Sequence, residues 1–155
     1  MGPDLAVEVE QDAADDRLLR AIGTTDVYTV ATSRFDLLVE LGSAEAVRTL
    51  QPDFAALRGL GARGVIVTAP GDVEGVDMVS RFFAPGAGID EDPVTGSAHC
   101  VLAPFWAART GRTTLVGHQA SKRGGLVRMR LDGDRVHLGG KAVTVWSGGF
   151  HTDPY

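Results

Sequence analysis

Residues 84–96 run Ala-Pro-Gly-Ala-Gly-Ile-Asp-Glu-Asp-Pro-Val-Thr-Gly, and they deliver the chain into an apolar segment, residues 97–108, that reads as a helix. This junction constrains the chain more than any other stretch of it. Phe105 and Trp106 on the segment are core residues by type. Pro104 lies inside it, where the missing backbone donor and the clash with the preceding turn predict a bend or a local break.

With 155 residues, 44% of them hydrophobic and 23% charged, the chain can bury a core as a single domain over residues 1–155. A formal net charge of -5 and the lack of a concentrated Lys/Arg footprint argue against nucleic-acid binding. Small molecules or proteins are the expected partners. The start, Met1-Gly2-Pro3-Asp4, does not read as a secretory signal, and no stretch is apolar for long enough to span a bilayer, so the expected location is the cytoplasm. Cys100 has no intramolecular partner and apolar neighbours, which suits a buried structural thiol.

Residues 12–22 predict a first helix, acidic at its start, with Leu18, Leu19 and Ile22 at helical spacing. Residues 26–31 and 35–41 read as a strand hairpin across Thr32-Ser33-Arg34. Ser43 and Asp53 cap two short helices, the first ending before Pro52. Residues 64–69 form a continuous apolar run typical of a buried strand, and residues 78–83 read as another. After residue 113 the pattern predicts strands at 126–131, 135–138 and 142–146, with Asp132-Gly133-Asp134 turning between the first two. No internal repeat is visible, and the terminal run of strands favours an α+β mixed sheet over a regular parallel βαβ array.

The chemistry concentrates at residues 88–99, where carboxylates, hydroxyls, glycine and His99 precede the apolar helix. Backbone donors of a first helical turn have no intrahelical acceptor and sit at the positive end of the dipole, so Gly96, Ser97 and Ala98 can hold a carboxylate. Gly96 permits close approach, Ser97 adds a hydroxyl, and Asp92 can accept or orient a proton. The alternative is capping, with Thr95 or Ser97 closing the helix and Asp92 stabilising the turn without a ligand. His99, two residues after Ser97, points in a different direction on a helix and suits packing behind the site. His118, His137 and His151 are too dispersed for a metal, and none is predicted. Residues 119–125 can bring Arg123 and Gly124 beside a carboxylated ligand, or can be a solvated turn.

Arg81-Phe82-Phe83-Ala84-Pro85, Asp92-Pro93-Val94-Thr95-Gly96-Ser97-Ala98-His99, Ala103-Pro104-Phe105-Trp106, Gln119-Ala120-Ser121 with Arg123-Gly124-Gly125, and Gly133-Asp134-Arg135-Val136 occur in that order. Together they make the chain similar to the phenazine-biosynthesis PhzF-like family, and specifically to the C-terminal half of such a protein. The resemblance implies a diaminopimelate epimerase-like half, a curved mixed sheet around a central apolar helix, with an active site in the cleft between two such halves. It implies cofactor-independent proton transfer, represented by isomerisation of a dihydro-hydroxyanthranilate in phenazine formation. It places Asp92 and Ser97 at catalytic positions, Gly96 in the anion-binding turn and Arg123 and Gly124 at the cleft edge; with Thr95 and Ala98 of the same turn, these last three are the expected substrate-binding residues.

Family enzymes also carry a catalytic glutamate and a Gly-His-Pro-type segment in their N-terminal half. Glu8, Glu10 and Glu40 stand in no matching context here, so that role is assigned to no residue. The expectation is therefore a small carboxylated metabolite as ligand, no cofactor, and completion by a second subunit in a homodimer or by a separate N-terminal half. The competing expectation is a noncatalytic anion-binding or structural module on the same fold.

Overall fold

The computed structural model describes residues 15–149. Seven strands form one mixed sheet in sequential order: β1 (Val27–Thr32), β2 (Asp36–Leu41), β3 (Gly64–Pro70), β4 (Met78–Phe83), β5 (Thr114–Gln119), β6 (Gly125–Asp132) and β7 (Arg135–Gly139). The β2–β3 and β4–β5 pairs are parallel and every other pair is antiparallel. The expected α+β class and the β1–β2 hairpin are both present.

Strand alternation sends side chains to two different cores. One face offers Ala31, Leu38, Ile66, Met78, Phe82, Leu115, Val127 and Met129 to helix α4 (Gly96–Thr110), whose Ala98, Val101, Leu102, Ala103, Phe105 and Trp106 are buried against them. The other face sends Val39, Leu41, Val65, Val67, Val79 and Phe83 toward α1 (Asp16–Ile22), α2 (Ala44–Thr49) and α3 (Phe54–Arg58). Helices thus cover both faces of β3, which explains its unbroken apolar run. Trp106 settles its indole by donating to Thr68 Oγ1 at 3.1 Å, while Thr68 donates to the Val79 carbonyl.

The helix starts follow the capping chemistry in the sequence. Asp15, Ser43 and Asp53 accept from the amides of Arg17, Ala46 and Ala56 at 3.0, 3.1 and 2.9 Å. The first helix begins at Asp16; positions 12–14 of its expected span lie outside the described residues.

Two expectations need correction, and one strand goes beyond them. The helix runs through Pro104 to Thr110 as one element, because burial on nearly all sides holds it despite the missing donor. Residues 114–119 form a strand that propensity obscures, since Gly117 and His118 interrupt its β-branched pattern. Gly117 suits the crowding there: a Cβ would meet Met78, Met129 and His99 at 3.0–3.2 Å. Residues 142–146, by contrast, belong to no strand.

Replacing Leu102, fully buried at the centre of α4, by alanine is expected to lower unfolding free energy by about 2–5 kcal/mol in chemical denaturation. A loss below about 1 kcal/mol would show that the inner core is not tightly packed around this helix.

Candidate active site at the start of helix α4

The turn before α4 is built largely by groups from other strands. Asp92 donates its amide to the Phe82 carbonyl at 3.0 Å, which ties the turn to the end of β4. Gln119, fully buried at the end of β5, accepts from the Thr95 amide at 2.7 Å and donates to the Asp92 carbonyl at 2.7 Å and to Thr95 Oγ1 at 3.1 Å. Thr95 Oγ1 in turn donates to the Asp92 carboxylate. Ser121 donates to the Pro93 carbonyl at 2.7 Å and accepts from the Gly124 amide at 2.9 Å, with Gly124 at φ +70°. The segment 119–124 therefore clasps the turn, and Gln119 is the central residue that residue-type reasoning passed over.

Thr95 is the N-cap by backbone geometry, but its hydroxyl serves Asp92 and makes no capping bond. Ser97 makes none either. The first intrahelical bond runs from the His99 amide to the Thr95 carbonyl. The amides of Gly96, Ser97 and Ala98 thus precede it and have no acceptor among the described residues, as an anion site at a helix start requires. The Ala98 side chain is buried, so only its backbone can contribute.

Ser97 Oγ accepts from Arg63 Nη2 at 3.2 Å, and Arg63 is itself gripped by the buried carboxylate of Asp36. Parallel pairing of Asp36 with Gly64 sets Arg63 beside β2, and the Phe35 and Phe82 rings flank its guanidinium at 5.3 and 5.9 Å. Neither Asp36 nor Arg63 stands out in the sequence, because the two are 27 positions apart and meet only through strand register. With Arg63 donating to its oxygen, the Ser97 hydroxyl keeps its proton for an acceptor on the Arg63 side of the turn.

On its other side the turn opens onto a cleft of roughly 630 Å³. Val94, Gly96, Arg123, Gly124, Leu138 and Lys141 are among the residues that line it. A Cβ on Gly96 would lie 3.6 Å from Leu138, so Leu138 packs close to the helix start where the glycine borders the cleft. Arg123 and Lys141 have no ion pair or side-chain hydrogen bond among the described residues and supply positive charge at the rim. The expected site residues are therefore contiguous, although Ser97 faces Arg63 and Gly96 faces the cleft.

His99 lies behind the turn, fully buried, with Nδ1 2.7 Å from the Thr95 carbonyl. That carbonyl only accepts, so Nδ1 carries the proton and Nε2 is left as a buried lone pair without a partner among the described residues. Burial pushes the imidazole pKa below its ordinary 6.5, against the weaker opposing effect of the Thr95 contact. Cys100 is buried too, and burial pushes its thiol up. Glu40 sits at the far end of α4, paired with Arg109 at 3.1 Å, and Glu91 is paired with Arg81. Glu8 and Glu10 lie outside the described residues. Among those residues no cluster of three His, Cys, Asp or Glu is placed to hold a metal, and no helix is long and apolar enough to cross a membrane.

The family model for phenazine biosynthesis-like proteins, PhzC-PhzF, matches residues 3–148. An uncharacterized isomerase of Pseudomonas aeruginosa is 55% identical over 131 residues, covering 84% of this chain and 49% of that protein. A crystal structure of a PhzF-family phenazine biosynthesis protein from Enterococcus faecalis superposes with a TM-score of 0.79 at 43% identity, over 85% of this chain and 50% of that one. A putative phenazine biosynthesis PhzC/PhzF protein from Clostridium difficile gives 0.81 at 34% identity, over 97% and 56%. The chain spans about half the length of the curated relatives it matches.

Two outcomes follow from this geometry. Gln119→Leu leaves the Thr95 amide and Asp92 carbonyl without their partner and is expected to cost about 2–4 kcal/mol in denaturant unfolding; a neutral change would mean that the clasp is not structural. His99 has a folded pKa below its unfolded one, so its contribution to stability is fully present above about pH 6.5 and is lost as pH falls from there toward the folded value. Stability measured between pH 7.5 and 5 should therefore decline on acidification, and His99→Asn, which keeps a donor to Thr95, should flatten that slope. A slope unchanged in His99→Asn would assign the titration to another group.

Proposed function

Because the chain belongs to the PhzC-PhzF family of phenazine biosynthesis-like proteins, whose diaminopimelate epimerase-like α+β fold it shares, we propose that it forms one wall of an isomerase site for a small carboxylated metabolite. The observation that carries this reading is the conjunction at one turn of three amides without an acceptor among the described residues, the Ser97 hydroxyl and the Asp92 carboxylate. The amides of Gly96, Ser97 and Ala98 hold the substrate carboxylate, with Arg123 and the Gly124 backbone closing the rim. Fixing that group positions an adjacent carbon for proton transfer.

The reaction takes a proton from one carbon of the substrate and returns it to another carbon of the same conjugated system. Composition and oxidation level stay unchanged, and the reading requires neither cofactor nor metal. Asp92, oriented by the Thr95 hydroxyl, is the acid/base on this wall, and Ser97 stabilises negative charge as it develops. A facing wall supplies the second acid/base, from a second subunit of a homodimer or from a separate half, and the assembly works in the cytoplasm. One observation supports a noncatalytic anion-binding module instead: Glu91, the glutamate next in sequence to Asp92, is held in an ion pair with Arg81, and Glu40 lies at the far end of α4 paired with Arg109.

Solution mass by light scattering establishes whether the purified chain dimerises. NMR then follows solvent deuterium entering a cyclic hydroxy-amino acid supplied to the dimer, or to the chain combined with the unmatched half of a relative. Asp92→Asn and Ser97→Ala should each slow exchange by about 10²–10⁴-fold with the melting temperature retained. Carboxylate binding without exchange in the unmodified assembly supports the noncatalytic reading, and unchanged exchange in both variants overturns the assignment.

A further inference from the structure

Arg63 stands immediately before β3, on the side of the turn that Ser97 faces. Its amide donates to the Phe35 carbonyl at 3.0 Å, and its side chain lies against Asp36, which is only 2% exposed. Asp36 is itself fixed by Ser33, whose Oγ accepts from the Asp36 amide at 3.0 Å. Arg63 Nε donates to Asp36 Oδ1 at 2.9 Å and Nη2 donates to Oδ2, so one edge of the guanidinium is committed to the carboxylate. The Phe35 and Phe82 rings flank the guanidinium, and Gly64, next in sequence, has no side chain to displace the Phe82 ring. Nη2 carries two hydrogens. With the first on Asp36, the second reaches Ser97 Oγ at 3.2 Å. The Ser97 hydroxyl makes no capping bond to α4, so this contact is what selects its rotamer.

We infer that Arg63 is a positioning residue for the proton transfer: seated on the buried Asp36 carboxylate, it holds the Ser97 oxygen so that the hydroxyl proton is presented to the substrate. The inference rests on the reading of Ser97 given above and names the group that aims it. Charge decides the division of labour. Asp36 is buried against Arg63 and balances its charge, so the guanidinium competes weakly for the substrate carboxylate, and the amides at the start of α4 keep that task. A hydroxyl whose oxygen accepts from Arg63 is turned to donate its own proton, the polarity that a developing negative charge requires. Lysine at this position would not substitute. It offers a single nitrogen to both partners and lacks the planar fork that fits the carboxylate and lies between the two rings.

The test follows solvent deuterium entering dihydro-hydroxyanthranilate by NMR, with the full chain combined with the unmatched half of the 55% identical Pseudomonas aeruginosa relative. Arg63→Met alone strands a buried carboxylate and can unfold the chain, so the working variant is Asp36→Leu with Arg63→Met, which removes both charges, its folding checked by circular dichroism melting. It should lower the kcat of exchange by about 10–100-fold and leave KM within about threefold. In a Ser97→Ala background the same pair should change kcat by less than about twofold, because the group through which Arg63 acts is gone. Arg63→Lys, which keeps the charge, should stay slow; full kcat in that variant overturns the positioning role in favour of charge alone. An unchanged kcat in the double variant, or a loss equally large with and without Ser97, also overturns it, while a slow Ser97→Ala preserves the isomerase reading. A raised KM at unchanged kcat overturns it by making Arg63 a substrate-binding group. If Ser97→Ala exchanges at the unmodified rate, or the unmodified assembly shows no exchange, the reading and the inference fall together.

Discussion

The burial of α4 is the constraint on which the rest of the structure depends. A fifteen-residue helix in which Ala98, His99, Cys100, Val101, Leu102, Ala103, Phe105 and Trp106 are all buried has no solvent face along most of its length. A flat sheet can cover only one side of such a helix. Seven sequential strands that send inner residues from β1 to β6 onto the same helix cover several, which requires the sheet to curve around it. Once curved, the sheet exposes its convex face, and the three short amphipathic helices are needed to bury Val39, Val65, Val67, Val79 and Phe83.

The same wrapping determines where polar groups can survive on the inner face. In β2 the inward positions are Asp36, Leu38 and Glu40, and only the central one is apolar. The two carboxylates fall at opposite ends of α4, where Arg63 and Arg109 meet them. Asp36 is almost wholly buried, so its charge is tolerable only with the paired contacts of Arg63. Arg63 then extends from that pair to Ser97, so the hydroxyl in the candidate site is held by an interaction whose first purpose is to neutralise a buried carboxylate.

Much of this was legible in the residues. Local chemistry identified the caps Ser43 and Asp53, the buried strand β3, and the turn before α4, because each depends on neighbours within a few positions. The PhzF-like motifs identified the fold and drew attention to Asp92 and Ser97. What escaped were features set by distant partners. β5 reads poorly because Gly117 is chosen for crowding by Met78, Met129 and His99 rather than for strand propensity. Gln119 and Arg63 gain meaning only when register brings them to the turn. Residues 142–146 err in the opposite sense: their local preference for a strand is clear, but a strand exists only where an edge is available to pair with it.

The turn before α4 shows why catalytic residue types and structural ones are so intermixed here. Thr95 has the identity of a helix cap, yet using its hydroxyl as a cap would satisfy one of the very amides that an anion must find unpaired. The structure satisfies Thr95 differently. Its amide goes to Gln119, its carbonyl to His99, and its hydroxyl to Asp92 and Gln119 together. All of its polar groups are thereby consumed behind the helix start, so the amides in front of it remain open. Capping and ligand binding compete for the same donors, and diverting the cap hydroxyl to the carboxylate both fixes Asp92 and leaves the Gly96, Ser97 and Ala98 amides without an acceptor among the described residues.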